Sequence, residues 1–117
     1  MSKHTMRLRR EPFEKIKSGK KTVELRLYDE KRQQIQVGDT ICFVHTEDET
    51  DTITTQVENL FVFASFEELY QKLPLTDCGY TAEELSAASP RDMEQYYSKE
   101  EQGRYGVVGI QIRPVNG

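Results

Sequence analysis

The sequence predicts an α+β protein, a small mixed β-barrel with helices on its rim. Three observations carry that prediction. Several short segments alternate apolar and polar residues with period two, the pattern of half-buried strands. Helix-start signals gather in one late stretch, between Ser65 and Asp92. The strands also outnumber the room for a parallel β-α-β sheet, which favours a barrel.

The elements follow in order. "HTMRLR" (His4–Arg9) alternates Met6 and Leu8 with Thr5, Arg7 and Arg9, and reads as a first strand. "EPFEKIKSG" reads as a helix with Pro12 at its first position, Phe13 and Ile16 inward, and Gly19 ending the turn. "TVELRL" (Thr22–Leu27) gives the cleanest alternation, with Val23, Leu25 and Leu27 on one face and Thr22, Glu24 and Arg26 on the other. A Gly38-Asp39 turn precedes a strand through Ile41 and Phe43. The acidic run "TEDETD" (Thr46–Asp51) reads as a solvated hairpin tip, since it lacks the glycine and spaced ligands of a calcium loop. "TITTQVENLFVFA" is the next strand, offering Val57, Leu60 and Val62 to the core. Ser65-Phe66-Glu67-Glu68 has the form of a capping box, opening a helix with Phe66, Leu69, Tyr70 and Leu73 on its apolar side. Thr81-Ala82-Glu83-Glu84 repeats the signal for a second helix, and Ser89-Pro90 marks a third start. "GVVGIQIRP" closes the chain as a strand with Val108, Ile110 and Ile112 on one face.

The 117 residues suit a single domain spanning 1–117, with a core that needs no disulfide. Mean hydropathy is -0.72, yet aliphatic and aromatic residues are ordinary in number, so the chain reads as folded and soluble. No apolar run is long enough for a membrane span, and the N-terminus lacks the apolar core of a signal peptide, so a cytoplasmic location and no membrane partner are expected. Cys42 and Cys78 lie far apart with no C-x-x-C, and His4 and His45 have no ligand spacing to them. Reduced thiols, no structural metal and no cofactor are the expectation.

Charge divides the chain. Residues 1–32 hold eleven Lys or Arg against five acids, net +6, and the rest holds five against fifteen, net −10. A basic segment on an acidic body keeps a nucleic-acid partner open despite a pI near 5.2, because binding depends on the local field. A solvated basic helix is the plain alternative.

The stretch "GKKTVELR" concentrates this charge on one strand. It fits G-x-K-x-x-E-x-R through Gly19, Lys21, Glu24 and Arg26, which resembles the signature of the ASCH domain family, a branch of the PUA-like superfamily. The "PFEKIKSG" helix before it, the "VGD" turn after it and the closing "GVVGI" agree. The resemblance implies a PUA-like mixed β-barrel with a ligand cleft, and a role in binding RNA or nucleotides.

The chemistry of the motif stands beside the name. Glu24 and Arg26 share one strand face about 7 Å apart, and Lys21 enters from the helix end. A guanidinium suits bidentate contact with phosphate, an ammonium supplies a mobile charge, and the carboxylate between them orients both. Lys21, Glu24 and Arg26 are therefore the candidate ligand-binding residues, with Gly19, Thr22, Arg7, Arg9 and Tyr28 in support. An exposed ion-pair set worth about 0–1 kcal/mol is the competing reading. Tyr96, Tyr97 and Tyr105 are further candidates for stacking on bases.

Other classes of function stay open. Some relatives of this fold resemble amidohydrolases of N4-acylated cytidines, and others have been assigned ribonuclease activity. The former share a Lys and an Arg aligning with Lys21 and Arg26, but their proposed threonine nucleophile stands where this chain has Glu24. In a hydrolytic reading Glu24 is the general base, with Lys21 and Arg26 stabilising the developing negative charge; Thr22 is a weaker substitute nucleophile. A regulatory domain binding a protein partner or a metabolite is the third reading. The oligomeric state is not legible.

Overall fold

The computed structural model describes residues 1–115. Strands β1 (Lys3–Leu8), β2 (Val23–Leu27), β3 (Thr40–His45), β4 (Asp48–Phe63) and β5 (Val107–Pro114) form one sheet in the order β1-β3-β4-β5-β2. Helix α1 (Arg10–Lys17) joins β1 to β2; α2 (Phe66–Lys72) and α3 (Lys99–Tyr105) lie between β4 and β5. Strands β1 and β3 run parallel, and the other pairs among the described residues are antiparallel. The result is an α+β, five-stranded mixed half-barrel with helices, consistent with a PUA-like fold. Its two edges are β1 and β2, the strands that flank α1.

Both faces of the sheet are covered. Met6, Leu8, Ile41, Phe43, Ile53, Val57, Val108, Ile110 and Ile112 pack with Phe13 and Ile16 of α1 in one core. Val23, Leu25, Leu27 and Val107 pack with Phe66 and Leu69 of α2 in a second. The alternation of β2 therefore places its apolar set against α2, as the period-two pattern requires.

Details depart from the sequence reading for local reasons. Helix α1 begins two residues before Pro12; its first turn has N–H groups without helical partners, so proline there breaks no bond. The hairpin tip is shorter than Thr46–Asp51, because β4 already starts at Asp48. A bulge between Val57 and Asn59 returns Leu60 to the first core, but Val62 stays 49% exposed. Ser65 caps α2 by accepting from the Glu68 N–H. Thr81 and Glu84 also exchange capping hydrogen bonds. No α-helix follows them, only a 3-10 turn at Leu85–Ala87, since the segment buries no apolar face and Pro90 stands ahead. The third start is real but yields a 3-10 helix, Pro90–Gln95, capped by a Ser89–Asp92 box.

Gly106 links α3 to β5 with φ 73° and ψ −173°, a region that side chains rarely enter. A Cβ there would lie 2.9 Å from the Phe63 carbonyl oxygen. Gly106→Ala is expected to cost about 1–3 kcal/mol. Urea denaturation should show a lower midpoint at unchanged slope; an unshifted midpoint would refute the strain argument.

Candidate functional site

The turn after α1 sets up the cluster. Gly19 takes φ 83°, reversing the chain, and the Lys21 N–H then bonds the Lys15 carbonyl at 3.0 Å. The Thr22 and Val23 amides both donate to the Asp77 carbonyl, at 2.8 and 2.9 Å, pinning the loop after α2 to the start of β2. Strand alternation then aims Glu24 and Arg26 away from the second core, toward the open edge between β1 and β2.

The three motif side chains meet there. Lys21 Nζ lies 2.9 Å from Glu24 Oε1, and Arg26 Nε donates to Glu24 Oε2 at 2.8 Å. Arg26 Nη2 also donates to the Arg7 carbonyl at 3.2 Å, spanning the gap between the edge strands. Glu24 is 4% exposed, and the Lys21 and Arg26 side chains 11% and 14%. Burial pushes the Glu24 carboxyl up, but the charges and hydrogen bonds of Lys21 and Arg26 outweigh it and hold the group below its usual range. Burial likewise works against the Arg26 cation, and Glu24 reverses that and raises its pKa. The trio thus carries one net positive charge, with its carboxylate fixed in the ionised state.

The cluster lines a cleft of about 490 Å³. One wall comes from β1, β2 and α1 and carries Arg7, Arg9, Lys21 and Arg26; the other comes from the segment after β4 and carries Tyr70, Tyr80, Tyr96 and Tyr97. The two walls touch where the Arg9 guanidinium sits over the Tyr96 ring, 5.7 Å from its centroid. Tyr97 stacks on Phe66 of the second core at 6.0 Å, and burial raises its pKa. Cys78 also lines the cleft, and burial pushes its thiol up to about 11, so it is a neutral thiol at physiological pH.

The supporting residues separate. Arg7 and Arg9 reach the cleft; Gly19, Thr22 and Tyr28 do not line it. Gly19 serves the turn, Thr22 serves through its backbone, and Tyr28 packs against the first core. Of the tyrosines singled out for stacking, Tyr96 and Tyr97 line the cleft, and Tyr105 packs against the second core. Tyr70, Tyr80, Cys78 and Asp92 also line it. Tyr70 has the helical spacing of a core residue, and nothing in the sequence near Tyr80 or Asp92 marks a cleft.

The basic segment is less free than its composition suggests. The acidic hairpin folds back on it: Arg7 pairs with Glu49 at 3.1 Å, Arg10 with Glu47 at 2.6 Å and Lys17 with Asp51 at 3.2 Å. The histidines are occupied elsewhere, His4 with Asp39 at 2.9 Å and His45 Nδ1 accepting from the Glu47 amide at 3.0 Å. Among the described residues no helix is long and apolar enough to cross a membrane.

Comparison with known proteins agrees with this architecture. Residues 6–116 match the ASCH domain family. The crystal structure of hypothetical protein PH0355 superposes with a TM-score of 0.76 at 33% identity, covering 98% of this chain and 100% of that one. The solution structure of protein PF0455 from Pyrococcus furiosus gives 0.69 at 33% identity, with 100% of both chains covered. A mutant of ZmASCH from Zymomonas mobilis gives 0.66 at 18% identity over 96% of this chain and 72% of that one, a likeness of fold alone. No curated protein matches the sequence.

Proposed function

This chain belongs to the ASCH domain family, and we propose that its cleft binds a nucleotide, free or as one unit of a single-stranded RNA, through Lys21, Glu24 and Arg26. The observation that carries the reading is the convergence of two cations on one buried carboxylate inside an accessible recess. Each cation keeps N–H donors beyond those given to Glu24, and such charge-assisted donors suit phosphate oxygens. The ionised carboxylate holds both heads in place, so less rotamer entropy is lost when an anion arrives. Tyr96 and Tyr97 supply ring faces for a base.

Size and charge narrow the ligand. A cleft of about 490 Å³ falls in the range that encloses one small molecule. The hairpin acids Glu47, Glu49 and Asp51 line up against a long polyanion, which favours a single unit over a duplex. Glu24 is also a poor general base, because two cations hold its pKa down and so weaken its pull on a proton. That supports binding over hydrolysis with Glu24 as base.

The test is a titration with labelled single-stranded RNA and with nucleoside monophosphates at about 50 and 200 mM salt. Two phosphate-contacting cations on a single strand predict a slope of about −1.4 in log affinity against log salt. Lys21→Ala is expected to weaken binding about tenfold, the effect of one charged hydrogen bond. A protein that binds no RNA and no nucleotide at the lower salt overturns the reading.

A further inference from the structure

The tyrosine wall contains a hydrogen-bond chain whose direction is fixed. Tyr80 Oη donates to Asp92 Oδ2 at 2.7 Å, because a carboxylate only accepts. With its proton committed there, the Tyr80 oxygen accepts from Tyr70 Oη across 2.6 Å. Asp92 is itself anchored, its Oδ2 also accepting the Ser89 amide in the cap of the 3-10 helix at 3.2 Å. The two rings meet edge-on with centroids 5.9 Å apart, so ring packing holds the oxygens in register. Burial keeps both phenols protonated at neutral pH; Tyr70 is pushed up to about 12 and Tyr80 is raised further.

Counting protons along this chain leaves Tyr70, Tyr80 and Asp92 without a free donor. Tyr70 has spent its only donor on Tyr80 and faces the ligand with lone pairs. Asp92 offers only lone pairs. The opposite wall offers the cationic N–H groups of Arg7, Arg9, Lys21 and Arg26 beside the carboxylates of Glu11 and Glu24. A ligand is matched when it carries N–H donors against Tyr70 and Asp92 and anionic oxygen against the four cations.

We propose that this polarity makes the cleft select a base bearing an exocyclic amino group over its isostere bearing an oxo group, with Tyr70 as the residue that reads the difference. The inference rests on the nucleotide reading above and names its substrate class. An amino group donates to the waiting Tyr70 oxygen. An oxo group meets an acceptor, and Tyr70 can serve it only by withdrawing its proton from Tyr80 and breaking the chain. Cytosine over uracil and adenine over hypoxanthine are two pairs in which only this group and its ring proton change.

The experiment measures dissociation constants of the intact protein for CMP against UMP and AMP against IMP. The amino member of each pair is expected to bind about tenfold tighter. Tyr70→Phe should bring both ratios close to one. Tyr80→Phe removes the acceptor that holds the Tyr70 proton, freeing Tyr70 to donate, and should move both ratios toward the oxo member. A merely structural role for either hydroxyl would weaken all four nucleotides together and leave the ratios in place. Equal binding within each pair by the unaltered protein, or ratios that survive Tyr70→Phe, overturns this proposal while the nucleotide reading stands. Failure of all four nucleotides and of RNA to bind removes both.

Discussion

Glu24→Ala is expected to destabilise the fold by about 3–5 kcal/mol and to remove the proposed nucleotide binding with it. The variant leaves Lys21 and Arg26 facing each other, nearly buried, with their shared counter-ion gone. Most of each cationic side chain is buried, so its desolvation is no longer offset by an opposite charge. Glu24→Gln separates charge from shape. It keeps the volume and one acceptor oxygen but loses the charge, and a smaller loss is expected. Acid titration gives the same assignment independently. The folded-state pKa of Glu24 lies below the ordinary carboxylate value of 4.5, so the unfolded chain takes up this proton first as the pH falls. Its contribution is fully present above the unfolded pKa and is lost as pH drops through the folded one. Urea midpoints of the unaltered protein should therefore fall below about pH 4.5, and Glu24→Gln should lack that component of the slope. A Glu24→Ala stability within about 0.5 kcal/mol of that of the unaltered protein would mean that the trio behaves as a solvated surface pair.

How far the sequence reached is clearest on β2. Period two placed Val23, Leu25 and Leu27 on one face and Glu24 and Arg26 on the other, and the structure keeps that partition. Alternation carries no information about what lies opposite the polar face. There the lids are Gly79 and Tyr80 and the 3-10 helix with Asp92, irregular segments held by a carbonyl, a cap and a tyrosine pair. The Lys15–Gly79 contact joins residues 64 apart in sequence, and none of the three follows a period that could be read. Gly79 lies close enough for an added Cβ to come within 3.2 Å of the Lys21 stem, and its carbonyl accepts from Lys15 Nζ at 2.6 Å. The same blindness explains the basic segment. Composition counted Arg7, Arg10 and Lys17 as available charge, and only the parallel pairing of β1 with β3 brings the acidic hairpin alongside them. Tyr28, next to the motif in sequence, packs against the first core and does not line the cleft.

In the proposed nucleotide site Arg26 is also a tie in the architecture, and its replacement is expected to show both losses. Its guanidinium makes two contacts in different directions, Nε to Glu24 at 2.8 Å and Nη2 to the Arg7 carbonyl at 3.2 Å. The second spans the gap between the two edge strands β1 and β2, which share no ladder among the described residues. Arg26→Ala is expected to lower nucleotide affinity about ten- to a hundredfold, the range for losing one hydrogen bond to a charged group. It should also speed amide hydrogen exchange at the exposed edge of β1, because the Arg7 carbonyl loses its partner. Arg26→Lys discriminates between the two roles. An ammonium restores the charge beside Glu24 but has no planar fork to hold the carboxylate and the carbonyl together. Affinity should return in part, with a salt slope like that of the unaltered protein, while exchange at β1 stays fast. Unchanged nucleotide affinity in Arg26→Ala would place the anion elsewhere in the cleft and leave Arg26 as a strand tie alone.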